Sequence, residues 1–319
     1  MNLKNIKLNG RFSENNGSII FYNVGSGLSF EMNGNSFDVH LNSIFGKGYF
    51  YIIIDRDFNN KIKVLIDNND YKYTFKDRLN HLVDIVKVNE SNDNIIELTN
   101  LSIDGELLTF DESYNAFVKV FGDSTIAGFG ILAKNGSASI HNSDGICDFC
   151  YHALYELGMD CDIFAASGYG LAFSAYTKPK TMGIFDFFDK VAVHQSVVWD
   201  DRSEPDLLII SLGCNDNSYI EENTNKQQLI DEYKQKYKNL IDSQMSLNSA
   251  LKVLMVYGTL NEENAYYLYE ETYSWLKTFY KNIYIHKFSG DSSAVSNHAH
   301  IDAHNRMTEE LKKVISEIL

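Results

Sequence analysis

Four short stretches of this chain carry side chains that, if brought together, could cleave an ester. The run Phe117-Val118-Lys119-Val120-Phe121 passes directly into Gly122-Asp123-Ser124-Thr125, which puts a serine at the carboxyl end of a strand, where open α/β sheets hold their ligands. A nucleophilic serine needs a tight turn that presents Oγ and leaves its own N–H free for an oxyanion, and a glycine two residues earlier permits that close approach. Alone, Gly122-Asp123-Ser124 is weak evidence and more often describes an ordinary strand-to-helix cap, because Asp and Ser are favoured N-cap residues.

The second stretch, Ser167-Gly168-Tyr169-Gly170, is a glycine-rich turn after an apolar run, and its N–H groups could face the same crevice. The third, Gly213-Cys214-Asn215-Asp216, offers an asparagine as a further donor to developing negative charge, or simply a structural asparagine in a loop. The fourth, His298-Ala299-His300-Ile301-Asp302-Ala303-His304, offers histidines near neutrality, suited to take a proton from a serine and return it to a leaving alkoxide. His300 and His304 have helical i, i+4 spacing, but without the glutamate of the zincin motif they are not read as metal ligands.

The elements that must position these residues change character along the chain. Up to about residue 112 the sequence reads as short strands at 17–22, 28–32, 36–41, 49–55, 61–66, 70–75, 81–87 and 95–101. Turn clusters such as Asn33-Gly34-Asn35 and Asp67-Asn68-Asn69 separate them. Alternation in Phe37, Val39 and Leu41 suggests an antiparallel sandwich of jelly-roll type. After Tyr114, apolar runs alternate with amphipathic stretches, the pattern of an α/β three-layer domain with a parallel sheet. Strands are expected at 117–121, 162–166, 207–212, 251–257 and 282–286. One helical stripe joins Leu229, Tyr233, Tyr237, Leu240 and Ile241, and another joins Ala303, Met307, Leu311, Val314, Ile315 and Ile318. The expected division is a β-sandwich over 1–112 and an α/β domain over 113–319.

Composition narrows the classes. With 319 residues, 44% of them hydrophobic, the chain can bury two cores. A formal charge of -15 argues against a protein that neutralises nucleic-acid phosphates. The opening MNLKNIKLNG lacks the features of a signal peptide, and no run approaches a membrane-spanning length. The expectation is a cytoplasmic protein as the sequence stands, or a secreted one where a leader has been removed, without a membrane partner. Cys147-Asp148-Phe149-Cys150 has no second pair at zinc spacing, and its surroundings have helical periodicity, so Cys147, Cys150, Cys161 and Cys214 read as packed thiols. Nothing in the sequence sets an oligomeric state.

In order and together, the four stretches resemble the consensus blocks of the SGNH, or GDSL-like, hydrolases, whose domain is flavodoxin-like. The jelly roll in front further resembles carbohydrate esterase family 2, which are acetyl esterases with this domain order. The resemblance implies that Ser124 is the nucleophile and His298 the base, with the Ser124 N–H, the Gly168 N–H and the Asn215 side chain as oxyanion hole. His298 fits better than His300 because the family pattern places a histidine six residues and an apolar residue nine residues later, here His304 and Met307.

Two positions depart from that pattern. The slot three residues before the histidine, usually Asp, is Val295, and the usual Pro after it is Ala299. The resemblance to family 2, some of whose members use a Ser–His dyad with the imidazole held by a backbone carbonyl, then implies a dyad here, with Asp291 the candidate third member. The implied reaction is removal of acetyl groups from an acetylated mono-, oligo- or polysaccharide, with no metal or organic cofactor. Tyr169, Trp199 and Tyr219, expected in loops, are candidates to stack on sugar faces. Competing readings are another short-chain esterase, lipase, thioesterase or acyltransferase on the same machinery, a catalytically degenerate carbohydrate-binding protein, and a structural module.

Overall fold

A computed structural model describes residues 4–67, 70–110, 113–199, 203–260 and 263–319. The first half is antiparallel: β1 (Ile6–Asn9), β2 (Phe12–Asn15), β3 (Ser18–Phe21), β4 (Gly27–Gly46), β5 (Tyr49–Ile54), β6 (Ile62–Leu65), β7 (Asp70–Thr74), β8 (Asn80–Lys87) and β9 (Asn94–Leu107). The second half adds β10 (Phe117–Gly122), β11 (Asp160–Ala165), β12 (Leu207–Ser211), β13 (Lys252–Tyr257) and β14 (Ile283–Lys287). Its helices are α1 (Phe149–Glu156), α2 (Cys214–Glu221), α3 (Lys226–Met245), α4 (Tyr266–Leu276) and α5 (Ile301–Ile318).

The jelly roll turns on one long strand. The first part of β4 pairs with β1 and β8, and its second part pairs with β7 and β9. The two expected strands at 28–32 and 36–41 are therefore one, running through Asn33-Gly34-Asn35 rather than turning there. A register shift lies between Gly34 and Ser36, so the local turn signal is spent on a bulge inside the strand. Gly105 of β9 faces Gly34 with φ +148°, and a side chain at either would strike the opposite backbone. β9 also continues to Leu107, beyond the expected 101, and β1 and β2 precede the first expected strand. Of the expected turn at Asp67-Asn68-Asn69, residues 68 and 69 lie outside the described ones. Between the layers, Phe21, Phe30, Phe37, Val39, Leu41, Phe50, Val83, Ile85 and Leu98 form a buried core.

The parallel sheet has the order β11-β10-β12-β13-β14, the 2-1-3-4-5 arrangement of flavodoxin-like folds. Its inner strands β10, β12 and β13 are buried on both faces, whereas the edge strand β14 is partly exposed. Val118 and Val120 of β10 face α1 and α5 through Leu154, Met307 and Leu311, whereas Phe121 shares a cluster with Leu229, Tyr233 and Leu240 of α3. The buried residues of α5 include Ala303, Met307, Leu311, Ile315 and Ile318, in line with the apolar stripe. α2 and α4 are helices beyond the two expected stripes. Cys150 is buried in α1, while Cys147, Cys161 and Cys214 are partly buried. Among the described residues no helix is long and apolar enough to cross a membrane.

The sandwich packs on the α1 side of the sheet, where its Val24, Tyr51, Ile53, Phe58, Val86 and Val88 join the cluster containing Phe149 and Leu154. Arg11, 2% exposed, reaches across to the Asp162 carboxylate at 2.9 Å and to the carbonyls of Phe188 and Lys190, both at 2.6 Å. Such a charge is tolerable in the interior because its partners replace its hydration.

Candidate active site

Ser124, Gly168 and Asn215 follow β10, β11 and β12, the three adjacent strands at the switch point of the sheet, so their loops meet in one crevice at the carboxyl edge. The turn after β10 is fastened by Asp123, whose carboxylate accepts from Thr125 N–H at 2.9 Å, and by Phe129 N–H donating to Ser124 O at 3.0 Å. Ser124 is thereby presented at the head of a turn, not as the cap of a helix.

In the second loop Tyr169 N–H returns to Ala166 O at 3.3 Å, closing a tight turn with Gly168 at φ +82°, a conformation that glycine takes without a Cβ penalty. Among the described residues neither Ser124 N–H nor Gly168 N–H has a protein acceptor. In the third loop Asn215 lies in the first turn of α2, a helix where a loop is expected. Asn215 lines the crevice, with Nδ2 donating to Tyr169 O at 3.0 Å and 3.4 Å from Asp123 Oδ2. The adjacent Asp216 is fully buried and accepts from the N–H groups of Leu171, Ala172 and Phe173 at 2.7, 2.8 and 2.9 Å. Burial pushes its carboxyl up to about 6 against these three bonds and Lys236.

His298 arrives from the loop between β14 and α5, with Nε2 2.7 Å from Ser124 Oγ and Nδ1 3.0 Å from the carbonyl oxygen of Ser296. That carbonyl comes within reach because Ser296 (φ 55°, ψ 34°) and Asn297 (φ 60°) are both left-handed, curling the chain back under the ring. Left-handed backbone at a non-glycine residue costs about 1–2 kcal/mol, so the loop stores strain in holding the imidazole. Burial pulls the His298 pKa below the ordinary 6.5, and hydrogen bonding to the Ser296 and Val295 backbone partly restores it.

The three histidines of the fourth stretch diverge. His300 caps α5, accepting from Asp302 N–H, and His304 is buried with Nδ1 accepting from Phe149 N–H at 3.2 Å. Asp291 accepts from Ser293 Oγ at 2.8 Å and lies 3.4 Å from Arg306, so it is Ser296, not Asp291, that meets His298 Nδ1. Val295 is 4% exposed and packs where a side chain on Gly130 would overlap it.

Ser124, Phe129, Ser167, Gly168, Tyr176, Asn215, Ser296, Asn297 and His298 line a cavity of about 500 Å³, ordinary for a small-molecule site. None of the three aromatic candidates for sugar stacking lines it. Tyr169 is 1% exposed in the core, its hydroxyl bonded to His194. Trp199 packs edge-on against Phe12 at the junction with the sandwich, and Tyr219 lies on α2, stacked on Phe173. Two aromatic residues do line the cavity: Phe129, partly buried against the His298 ring, and Tyr176, 83% exposed. With 20 tyrosines and 20 phenylalanines in the chain, sequence alone had no pattern to single either out.

Residues 8–110 match the family model described as carbohydrate esterase 2 N-terminal, and residues 118–309 match that of the GDSL-like lipase/acylhydrolase family. Comparison with curated proteins gives no match. Among solved structures, a family two carbohydrate esterase from Clostridium thermocellum, in complex with cellohexaose, superposes with a TM-score of 0.86 at 19% identity, covering 98% of each chain. A family two carbohydrate esterase from Cellvibrio japonicus gives 0.85 at 21% identity, covering 99% of this chain and 95% of that one. An acetyl xylan esterase from the rumen bacterium Butyrivibrio proteoclasticus gives 0.82 at 12% identity, over 99% and 96%. At these identities the likeness is one of fold.

Proposed function

The chain belongs to the GDSL-like lipase/acylhydrolase family, and from that premise we propose that it is a serine esterase removing acetyl groups from a carbohydrate. The observation that carries the reading is the alignment of Ser124 Oγ, His298 Nε2, His298 Nδ1 and Ser296 O through hydrogen bonds of 2.7 and 3.0 Å at the cavity wall. The division of labour that goes with it is a sandwich up to residue 112 and a hydrolase domain from 113.

In the proposed reaction, His298 Nε2 takes the Ser124 proton as Oγ bonds to the acetyl carbonyl carbon, and the electron pair of the C=O bond moves onto oxygen. Ser124 N–H, Gly168 N–H and Asn215 Nδ2 donate to that oxygen, the arrangement expected to contribute most of the stabilisation. Collapse breaks the bond to the sugar oxygen, which leaves as an alcohol with the proton held by His298. Water then repeats the sequence on the acetyl-enzyme, yielding acetate and restoring Ser124. Throughout, the Ser296 carbonyl accepts from Nδ1–H, fixing the tautomer that leaves Nε2 free as base.

A sugar acceptor is supported by the carbohydrate esterase N-terminal model over residues 8–110 and by Tyr176, whose exposed ring at the cavity can lie against a pyranose face. Acetyl as the acyl group is supported by the acetyl xylan esterase among the similar folds. The test is hydrolysis of p-nitrophenyl acetate and butyrate by the unmodified protein and Ser124→Ala, with acetate release from an acetylated oligosaccharide alongside. Turnover that favours acetate and falls by about 10³-fold or more without Ser124 sustains the proposal. Equal inertness of both proteins on every ester would overturn it and leave a carbohydrate-binding protein with a degenerate site.

A further inference from the structure

The turn that carries Gly168 is held by a residue from outside the hydrolase sheet. Ala166 N–H makes the final ladder bond, to Gly122 O at 3.2 Å, after which Ser167 N–H points toward the sandwich. There Glu90, in the turn joining β8 to β9, accepts it on Oε2 at 2.7 Å. On the other side of the turn, Gly168 O accepts from Ser174 Oγ at 2.8 Å and from Ala175 N–H at 3.2 Å. The peptide units on either side of the Ser167–Gly168 peptide are thus both held, and Gly168 lies at the cavity wall.

Only one of the two clamps belongs to the parallel-sheet half of the chain. The other is a carboxylate that is 4% exposed, with Asn92 Nδ2 at 3.4 Å from the same oxygen. Lys87, also buried, directs its ammonium to the carbonyl of Asn89. Burial pushes the Glu90 carboxyl up to about 7 and Asp93 adds to the rise, while the bonds from Ser167 and the charge of Lys87 oppose it. A buried carboxylate is costly unless it is well bonded. Here the bond it makes lies one residue from the proposed oxyanion donor.

We propose that Glu90 is a positioning residue for ester hydrolysis: it sets the Ser167–Gly168 peptide so that the Gly168 N–H is aimed at the oxyanion, which makes catalysis depend on the docked sandwich. The inference rests on the esterase reading. Misaligning one preorganised donor removes stabilisation felt in the transition state more than in the ground state, so its loss appears in kcat rather than KM.

The test compares the full-length protein with Glu90→Ala and Glu90→Gln on p-nitrophenyl acetate, and follows amide hydrogen exchange of the segment spanning residues 166–175. Glu90→Ala is expected to lower kcat by about 10–100-fold with KM changed by less than about 3-fold. Exchange in 166–175 should quicken while β10 and β12 stay protected. Glu90→Gln, whose amide oxygen can still accept from Ser167 N–H, should recover to within about 5-fold of the unmodified kcat. A folded Glu90→Ala protein with unmodified kcat, or with unchanged exchange in 166–175, would overturn the proposal. If Glu90→Ala fails to fold, Glu90→Asp takes its place, because it withdraws the acceptor by one methylene; equal kcat in Asp, Gln and Glu proteins would count against it. If the unmodified protein turns over no ester, the esterase reading falls, and the exchange arm still decides whether Glu90 holds the turn.

Discussion

The carbonyl oxygen of Ser296 lies 3.0 Å from Nδ1 of His298, on the opposite side of the imidazole from Ser124. A main-chain acceptor occupies the place where a triad would put a carboxylate, and two left-handed residues bring it there. Since the acceptor belongs to the backbone, Ser296→Ala should keep kcat within about 3-fold, whereas His298→Ala should lose about 10³-fold or more. Val295→Asp should not recreate a triad. Its carboxylate would be buried against Gly130, while the Ser296 carbonyl already occupies His298 Nδ1, and should cost about 2–4 kcal/mol of stability in denaturant unfolding with no gain in kcat.

Burial lowers the pKa of His298, and only the neutral imidazole can accept the Ser124 proton. The rising acid limb of kcat/KM against pH should therefore have its midpoint below 6.5, with activity retained at mildly acidic pH. A midpoint above that value would mean that a different group controls the limb.

His304 is buried and neutral, its pKa brought down to about 3 chiefly by burial and further by the neighbouring His298 and His300. The unfolded chain protonates this residue near 6.5 and the folded one does not, so its contribution to stability falls as the pH drops through that range. Between pH 6 and 4 the unmodified protein should lose stability more steeply than His304→Gln, by about 1.4 kcal/mol per pH unit. Paired denaturant curves at each pH would measure the difference.

Asp216 satisfies three consecutive main-chain N–H groups, so Asp216→Ala should orphan all three at about 1–3 kcal/mol each. Asp216→Asn keeps one acceptor oxygen and should lose less. Because Asn215 leans on Tyr169 O in the same loop, kcat should fall with stability in the Ala variant, read from thermal unfolding and steady-state rates together.

Tyr176→Ala should separate sugar recognition from chemistry. An exposed ring at the cavity edge is worth about 0.5–1.5 kcal/mol of stacking. KM for an acetylated oligosaccharide should rise about 3–10-fold, with little change on p-nitrophenyl acetate. An equal change on both substrates would assign Tyr176 to the chemistry rather than to the sugar.

The parts of this architecture that were legible in the sequence are those whose physics is local. Ser124, Gly168 and Asn215 each follow an apolar run that could only be a buried strand, and parallel strands deliver their carboxyl ends to one edge. The stripe of α5 was equally plain. Asn33-Gly34-Asn35 misled because its turn propensity is real but is overridden by pairing of Ser36 with Asp104 across the bulge. Ser296 could not be found by residue type, since it acts through a carbonyl that every residue carries. Glu90 was hidden for a different reason: its partner lies 77 positions away in the chain, and no periodicity links a turn of the sandwich to a turn of the parallel sheet.

Arg11 gives the molecule a further property. Its guanidinium ends inside the second half of the chain, on Asp162 and on two carbonyls of the 188–190 segment. A sandwich transplanted from another protein would withdraw a buried guanidinium from that carboxylate and from both carbonyls. The two halves are therefore tailored to each other rather than interchangeable cassettes, and a successful exchange would have to carry along an arginine at the corresponding place.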